Sequence, residues 1–289
     1  MILDKVKNYI EFFFLYVFFI FSKIIGLKAS SFCGGVLLSI YGIFSKKNII
    51  GMRNLSIVFP GMSKKEKKIV LKKMWFHFGR VVGEYPHLNT ININNKSILE
   101  IQNIENLLDP IKKGNCIFFS AHIGNWELSS HPLIQNNYKI SFIYRPPNNK
   151  LVENLLQNIR RNYGVELIKK GPKGAKECIK VLKKKGNLGM LIDQKMNDGI
   201  AINFFKKNAM TATAIAKLAL KFKCDLIPAY CIRKKGVSFK VKYLEPITYK
   251  KIKKLNSEKE ILLFLNTYVE SWIVNNPEQW IWIHNRWGS

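Results

Sequence analysis

Cysteine is scarce and unorganised in this chain. There are five (Cys33, Cys116, Cys178, Cys224, Cys231), an odd number with no C-x-x-C pair. That excludes a disulfide framework and a thiolate zinc site, and reads as buried thiols in a reducing compartment. No Gly/Ser linker, internal repeat or low-complexity tract divides the 289 residues. The chain is therefore one large domain, or one domain with an appendage. No glycine-rich phosphate loop is present either, since Gly171-Pro-Lys-Gly174 lacks the P-loop pattern and reads as a turn. Acidic residues are few, with 19 Asp+Glu against 47 Lys+Arg and a formal net charge of +28.

An excess of that size favours nucleic acid, anionic lipid headgroups or an acidic protein partner. A compositional drift towards Lys, Ile and Asn would instead make many of these lysines incidental. The basic residues come in short runs at 64–73, 183–185 and 250–254, with no paired zinc ligands and no aromatic RNP-type strand. Nucleic acid is set aside on that ground.

What the chain does have is a long hydrophobic run. From 9 to 27 it is nearly continuous Phe, Ile, Leu, Val and Tyr, with Lys5 and Lys7 before it and Lys23 and Lys28 at its far end. A spanning helix needs about 20 apolar residues, and Glu11 and Lys23 sit where charged side chains snorkel. A cleaved signal peptide fits poorly, because the site after Lys28 is weak and the cysteine usage argues against export. A buried core helix is a second alternative. The expectation is a retained anchor at 1–28, spanning the membrane or half-sunk in its interface, ahead of a domain at 29–289.

Ser63-Lys-Lys-Glu66 is a capping box, and the apolar positions Ile69, Val70, Met74, Phe76 and Phe78 predict a long helix towards Glu84, ended by Pro86. Cys116-Ile-Phe-Phe119 is a short apolar run of the kind a buried central strand carries, and similar runs recur at 140–144, 188–192 and 226–232. Helical patterns lie between or after them at 152–163, 212–222 and 261–273. Strands alternating with helices predict an α/β fold, a largely parallel mixed central sheet flanked by helices. The alternation in 237–243 suggests an antiparallel edge strand. In such sheets, sites form beyond the carboxyl ends of strands.

The segment after the first of these strands is Ser120-Ala-His122-Ile-Gly124-Asn125-Trp126-Glu127. His122 leaves the strand end, Gly124 permits a sharp turn, and Asn125 is a natural N-cap for a helix opening at Trp126. Glu127 would then lie in the first turn, where the helix dipole favours its ionised form. A strand–turn–helix path can fold the imidazole back onto the Glu127 carboxylate, giving a general base held by an acidic group. By spacing alone, a loop histidine and an ordinary first-turn glutamate fit equally well.

The wider sequence narrows this. Ala121-His122-Ile-Gly-Asn-Trp-Glu127 resembles the H-x4-D/E motif of the lipid A biosynthesis (Kdo-dependent) acyltransferases, a family related to phosphatidylinositol mannoside acyltransferases. Arg53-Asn-Leu-Ser-Ile-Val-Phe-Pro60 is similar to its R-x-N-L…F-P stretch, and Glu84 falls where a glutamate follows the first long helix. Tyr144-Arg145-Pro146 is similar to its Y-R-P segment, with Arg160 and Gly164 further along the chain. Asp193-Gln194 resembles its D-Q pair, and Phe204-Phe205, Thr211 and the Ala-rich helix its F-F-G…A-T. Pro277-Glu-Gln-Trp280-Ile-Trp-Ile-His284-Asn-Arg286-Trp287 is similar to its ending. Lys206 departs from the pattern, where the family has glycine.

The resemblance, which covers roughly 50–289, implies a glycerolipid-acyltransferase-like fold. It also implies transfer of a fatty acyl chain from acyl carrier protein to a hydroxyl of a lipid A precursor, or of a related glycolipid. The place implied is the cytoplasmic face of the bacterial inner membrane, and no metal or organic cofactor is implied. His122 and Glu127 are the expected catalytic residues. Arg145 is expected to bind negative charge, whether oxyanion or phosphate. Arg160 is expected at a helix end or on phosphate, Asp193 positioning Arg145 or the acceptor, and Asn125 capping the turn or binding substrate or oxyanion. Transfer to another glycolipid or a lysophospholipid, and a catalytically silent lipid-binding protein, are the alternatives.

Overall fold

The computed structural model describes residues 2–288. It begins with α1 (Ile2–Phe44), broken at Gly26 (φ 78°), then α2 (Lys47–Val58) and α3 (Lys64–Glu84). The capping box at Ser63 and Glu66 forms as the sequence predicts, with both reciprocal hydrogen bonds present. A 3-10 turn at Tyr85–Thr90 then leads to β1 (Leu99–Gln102), α4 (Glu105–Lys113) and β2 (Cys116–Ser120). After a 3-10 turn at Trp126–Ser130 come α5 (His131–Gln135), β3 (Ser141–Tyr144), α6 (Lys150–Asn162) and β4 (Glu166–Lys169). Next are α7 (Pro172–Lys183), β5 (Leu188–Leu191), β6 (Ile200–Phe204), β7 (Lys207–Thr211) and α8 (Ala214–Phe222). The chain closes with β8 (Asp225–Arg233), β9 (Phe239–Tyr243), α9 (Tyr249–Lys253) and α10 (Glu258–Asn275).

Seven strands form one sheet in the order β1-β9-β8-β2-β5-β3-β4, parallel at every pairing except β8 with β9. This is the α/β fold with a mostly parallel mixed sheet that the alternating pattern predicts. The central strand β2 is buried along its whole length, which is why its sequence is continuously apolar instead of alternating. Phe119 faces one core with α7, α8 and α10, and Phe118 faces the other with α4 and Tyr243. Two expectations are corrected here. Strand β9 is antiparallel to β8 but is not an edge, because β1 pairs outside it. Gly171-Pro-Lys-Gly174 is no free turn: Gly171 is the N-cap of α7 and Pro172 occupies its first turn, where a missing N–H costs nothing.

Helices α1 and α3 touch backbone to backbone. A Cβ on Gly34 would lie 2.3 Å from the Gly79 carbonyl oxygen, so no larger residue fits at that crossing. The apolar N-terminal run therefore belongs to a helix that continues well past residue 28 and is stitched to the domain.

Candidate functional site

The register of the sheet builds the site. Strands β2 and β5 are parallel neighbours with Ser120 opposite Leu191, so two residues further on His122 stands opposite Asp193. The Asp193 carboxylate accepts twice from His122, from the ring Nδ1 at 2.8 Å and from the backbone N–H at 3.0 Å. A third donor is the Trp280 indole, 2.8 Å from Asp193 Oδ2. Burial alone would raise the Asp193 pKa. The His122 charge and the three hydrogen bonds outweigh it and bring the carboxyl down to about 2. Because an ionised carboxylate can only accept, Nδ1 always carries a proton, and in the neutral ring the lone pair falls to Nε2. The His122 side chain is 20% exposed. The Gln194 side-chain amide lies 3.4 Å from Nε2.

Glu127 does not hold the His122 ring, contrary to the sequence expectation. Its Oε1 accepts from Arg160 Nη2 at 2.5 Å and Tyr85 Oη at 2.6 Å, and its Oε2 from Arg160 Nε at 3.1 Å. Tyr163 and the Trp126 indole donate to it as well, at 3.3 and 3.2 Å. Burial would push its pKa up, but Arg160 and these donors hold it below the ordinary value. Its connection to His122 is indirect: the Trp126 ring stands edge-on 5.2 Å from the imidazole while its N–H donates to Glu127. Arg160 lies in the last turn of α6, at a helix end as expected, and there it is taken up by this carboxylate and lies over the Tyr85 ring.

The turn between His122 and Glu127 explains the divergence. Gly124 has φ 57°, and a Cβ there would lie 1.8 Å from the Cys231 carbonyl oxygen, so only glycine fits. The Gly124 N–H donates to the Gln279 carbonyl and its own carbonyl accepts from His77 Nε2 at 3.1 Å. Asn125 is not the helix cap the sequence suggests. It makes no capping bond, and its amide donates inward to Glu84 Oε2 at 2.8 Å, which removes it as a substrate donor. Pinned on both sides, the chain turns Glu127 towards α6 and leaves the adjacent strand to supply the histidine's carboxylate.

Beneath this turn lies a buried ion pair that the sequence did not disclose. Arg233 grips Glu84 with both terminal nitrogens, at 2.5 and 2.8 Å. Its Nε donates to His77 Nδ1 at 3.3 Å. Burial foremost, then the Arg233 charge, lower the His77 pKa to about 3, so the ring is neutral and donates from Nε2 to Gly124. The sequence signals were Glu84 after the first long helix and a lone arginine ending an apolar strand, with nothing to join them. The C-terminal motif is structural in the same sense: Ile123 bridges to Trp280, Gln279 pairs with the Arg233 backbone, and Arg286 is fully buried on Met210 and Thr211. Upstream, Asn54 donates to the carbonyls of Trp282 and His284, both at 2.7 Å. His284 accepts from the Lys195 N–H at 2.8 Å, and burial first among its causes lowers its pKa to about 4.

Arg145 leaves β3 at the same sheet edge and is exposed. It has no hydrogen-bond or ion-pair partner among the described residues, yet its charge is felt at His284 and Lys170. It is a free cation beside the His122 edge.

A buried carboxylate on a partly exposed imidazole, with a guanidinium that has no partner among the described residues leaving the same sheet edge, is the equipment of a group-transfer site using a general base. The family model described as bacterial lipid A biosynthesis acyltransferase matches residues 3–289. The chain belongs to that family and is an acyltransferase. No curated protein matches it.

Proposed function

We propose that the enzyme transfers a fatty acyl chain from acyl carrier protein to a hydroxyl of a lipid A precursor, at the cytoplasmic face of the bacterial inner membrane. His122 is the general base. The observation that supports this reading is the His122–Asp193 pair, which fixes the tautomer of the neutral ring and leaves Nε2 for the acceptor hydroxyl on a side chain that is 20% exposed. The acceptor hydroxyl gives its proton to Nε2 as its oxygen bonds to the thioester carbonyl carbon. The tetrahedral oxyanion then collapses, the C–S bond breaks, and the thiolate takes the proton back from the imidazolium. Base assistance of this kind contributes about 10²–10⁴ in rate. Arg145 neutralises the oxyanion or an acceptor phosphate. Glu127 supports the base at one remove, by fixing Trp126 and α6. The net charge of +28 steers an acidic carrier and anionic lipid to the site, and the N-terminal apolar segment anchors the enzyme.

Acyl transfer from acyl carrier protein, offered in parallel to a lipid A precursor and a lysophospholipid and read by mass spectrometry, tests the reading. Product on the lipid A precursor, lost in His122→Ala, is expected. Product only on the lysophospholipid moves the acceptor, and full activity of His122→Ala removes the mechanism.

A further inference from the structure

We infer that α1 lies in the plane of an anionic lipid leaflet and does not cross the bilayer, an inference that rests on the proposal that the enzyme works at a membrane. The break at Gly26 divides it into arms at 2–25 and 27–44, roughly 36 and 27 Å long at about 1.5 Å per residue; each is close to the ~30 Å hydrocarbon core, so its attachments decide and its length does not. A crossing helix would need about 20 of those residues free of the domain. They are not free. The Asn149 side chain donates to the Asn8 carbonyl at 2.8 Å, Phe19 stacks on Tyr85, and the Ser22 carbonyl meets His87 Nε2 at 3.0 Å. Beyond the break at Gly26, the Ser31 hydroxyl donates to Glu84 at 2.6 Å and Gly34 meets Gly79. The helix is attached to a polar domain from its first turns to its last, so inserting it across the membrane would drag charged surface with it or strip these contacts.

The exposed side is largely apolar. Phe13, Phe14, Ile24, Phe32, Ile43 and Phe44 are all exposed, Ile24 at 77% and Phe44 at 81%. An exposed apolar run on this scale marks a membrane or protein interaction surface. Lys5, Lys7, Lys23, Lys28, Lys46 and Lys47 are exposed along and just beyond the same helix, which is charge complementary to anionic headgroups and opposed to a second copy of this basic chain. The geometry also has a use. Phe19 of α1 stacks on Tyr85, whose hydroxyl donates to Glu127, so the helix on the leaflet adjoins the Glu127 cluster and a lipid acceptor is reached from the side without leaving its leaflet.

The test uses the full chain bound to vesicles of phosphatidylethanolamine with phosphatidylglycerol, in a Cys33→Ser background because the other cysteines are buried. Spin labels at Phe13→Cys, Ile24→Cys and Val36→Cys report depth. An impermeant maleimide tests Lys5→Cys against Lys183→Cys, an exposed position on α7. All three labels at one shallow depth, within about 10 Å of the headgroup boundary, and both outer cysteines reactive from the same side, are expected. The Ile24→Glu/Phe32→Glu variant should bind vesicles at least about tenfold more weakly with an unchanged melting temperature. Protection of Lys5→Cys with reaction of Lys183→Cys, or a depth gradient through the midplane, overturns the in-plane placement. Labels buried by dimerisation without lipid overturn it as well. Acyl transfer measured in detergent is independent of either result, so failure of the placement and failure of the activity are read separately.

Discussion

His122 and Asp193 are 71 positions apart in the chain and 2.8 Å apart in space, joined by the register of two parallel strands and by nothing local in sequence. Asp193→Asn keeps the shape but offers an amide where the Nδ1 proton needs an acceptor. The expected outcome is a loss of about 10²–10⁴ in kcat with KM for the acceptor nearly unchanged. Steady-state kinetics beside a thermal melt checks it, and wild-type kcat in a folded Asp193→Asn protein would dismiss the pair.

The same carboxylate makes a prediction about acid. Its pKa falls from the ordinary 3.8 to about 2 on folding. A depressed carboxylate stabilises the fold above its unfolded pKa, and that stability is lost as pH drops through the folded value. Asp193 should therefore contribute roughly 2 kcal/mol above pH ~4, vanishing between about pH 4 and 2. Melting temperatures across that window should converge for wild type and Asp193→Asn; parallel curves would show no such linkage.

Glu127 and Arg160 are a buried pair, and removing one partner strands the other charge. Glu127→Gln and Arg160→Met should each destabilise the protein by about 3–5 kcal/mol, far more than His122→Ala. The double variant should cost less than the sum of the two. Denaturant unfolding measures this, and additive losses would mean that the two charges are not coupled.

Arg145 is exposed and has no partner among the described residues, so its loss should leave the melting temperature alone. Arg145→Ala should lower kcat/KM strongly and Arg145→Lys should recover only part, because a point charge does not replace a bidentate fork. Equal activity of the lysine variant and wild type would reduce Arg145 to a general positive charge.

The β6–β7 hairpin turns on Phe205 and Lys206, both with positive φ at 52° and 58°. A two-residue hairpin of this hand needs φ > 0 at both positions, which is the physical reason glycine suits the place Lys206 holds. Lys206→Gly should stabilise the fold by about 1 kcal/mol, a rise of about 2 °C in melting temperature. No change, or a fall, would show that the lysine is tied down by something else.

Periodicity revealed the parallel strands because each is buried on both faces and therefore continuously apolar. It concealed β1, four residues long and only partly buried beyond Leu99, and so made β9 look like an edge. His122 was legible as a residue at a strand's carboxyl end, and Asp193 as a second such residue, but their partnership depends on strand order, which no spacing encodes. Glu127 misled by proximity: five positions from His122, it is turned away by Gly124. The Glu84–Arg233 clamp was invisible as a pair for a related reason, since its members lie 149 residues apart: Glu84 stood out by resemblance, but Arg233 read as an ordinary charge.

Trp280 donates to Asp193 across 87 positions of chain, and its neighbour Gln279 accepts from the Gly124 N–H. On the ribosome, the imidazole and its carboxylate are made first and the residue that braces them comes last. At about 5–20 residues per second, that interval is roughly 4 to 17 s. Through it the nascent chain carries both members of the pair without the Trp280 N–H that braces their carboxylate, so the surroundings of the pair are completed only as the C-terminal segment is made.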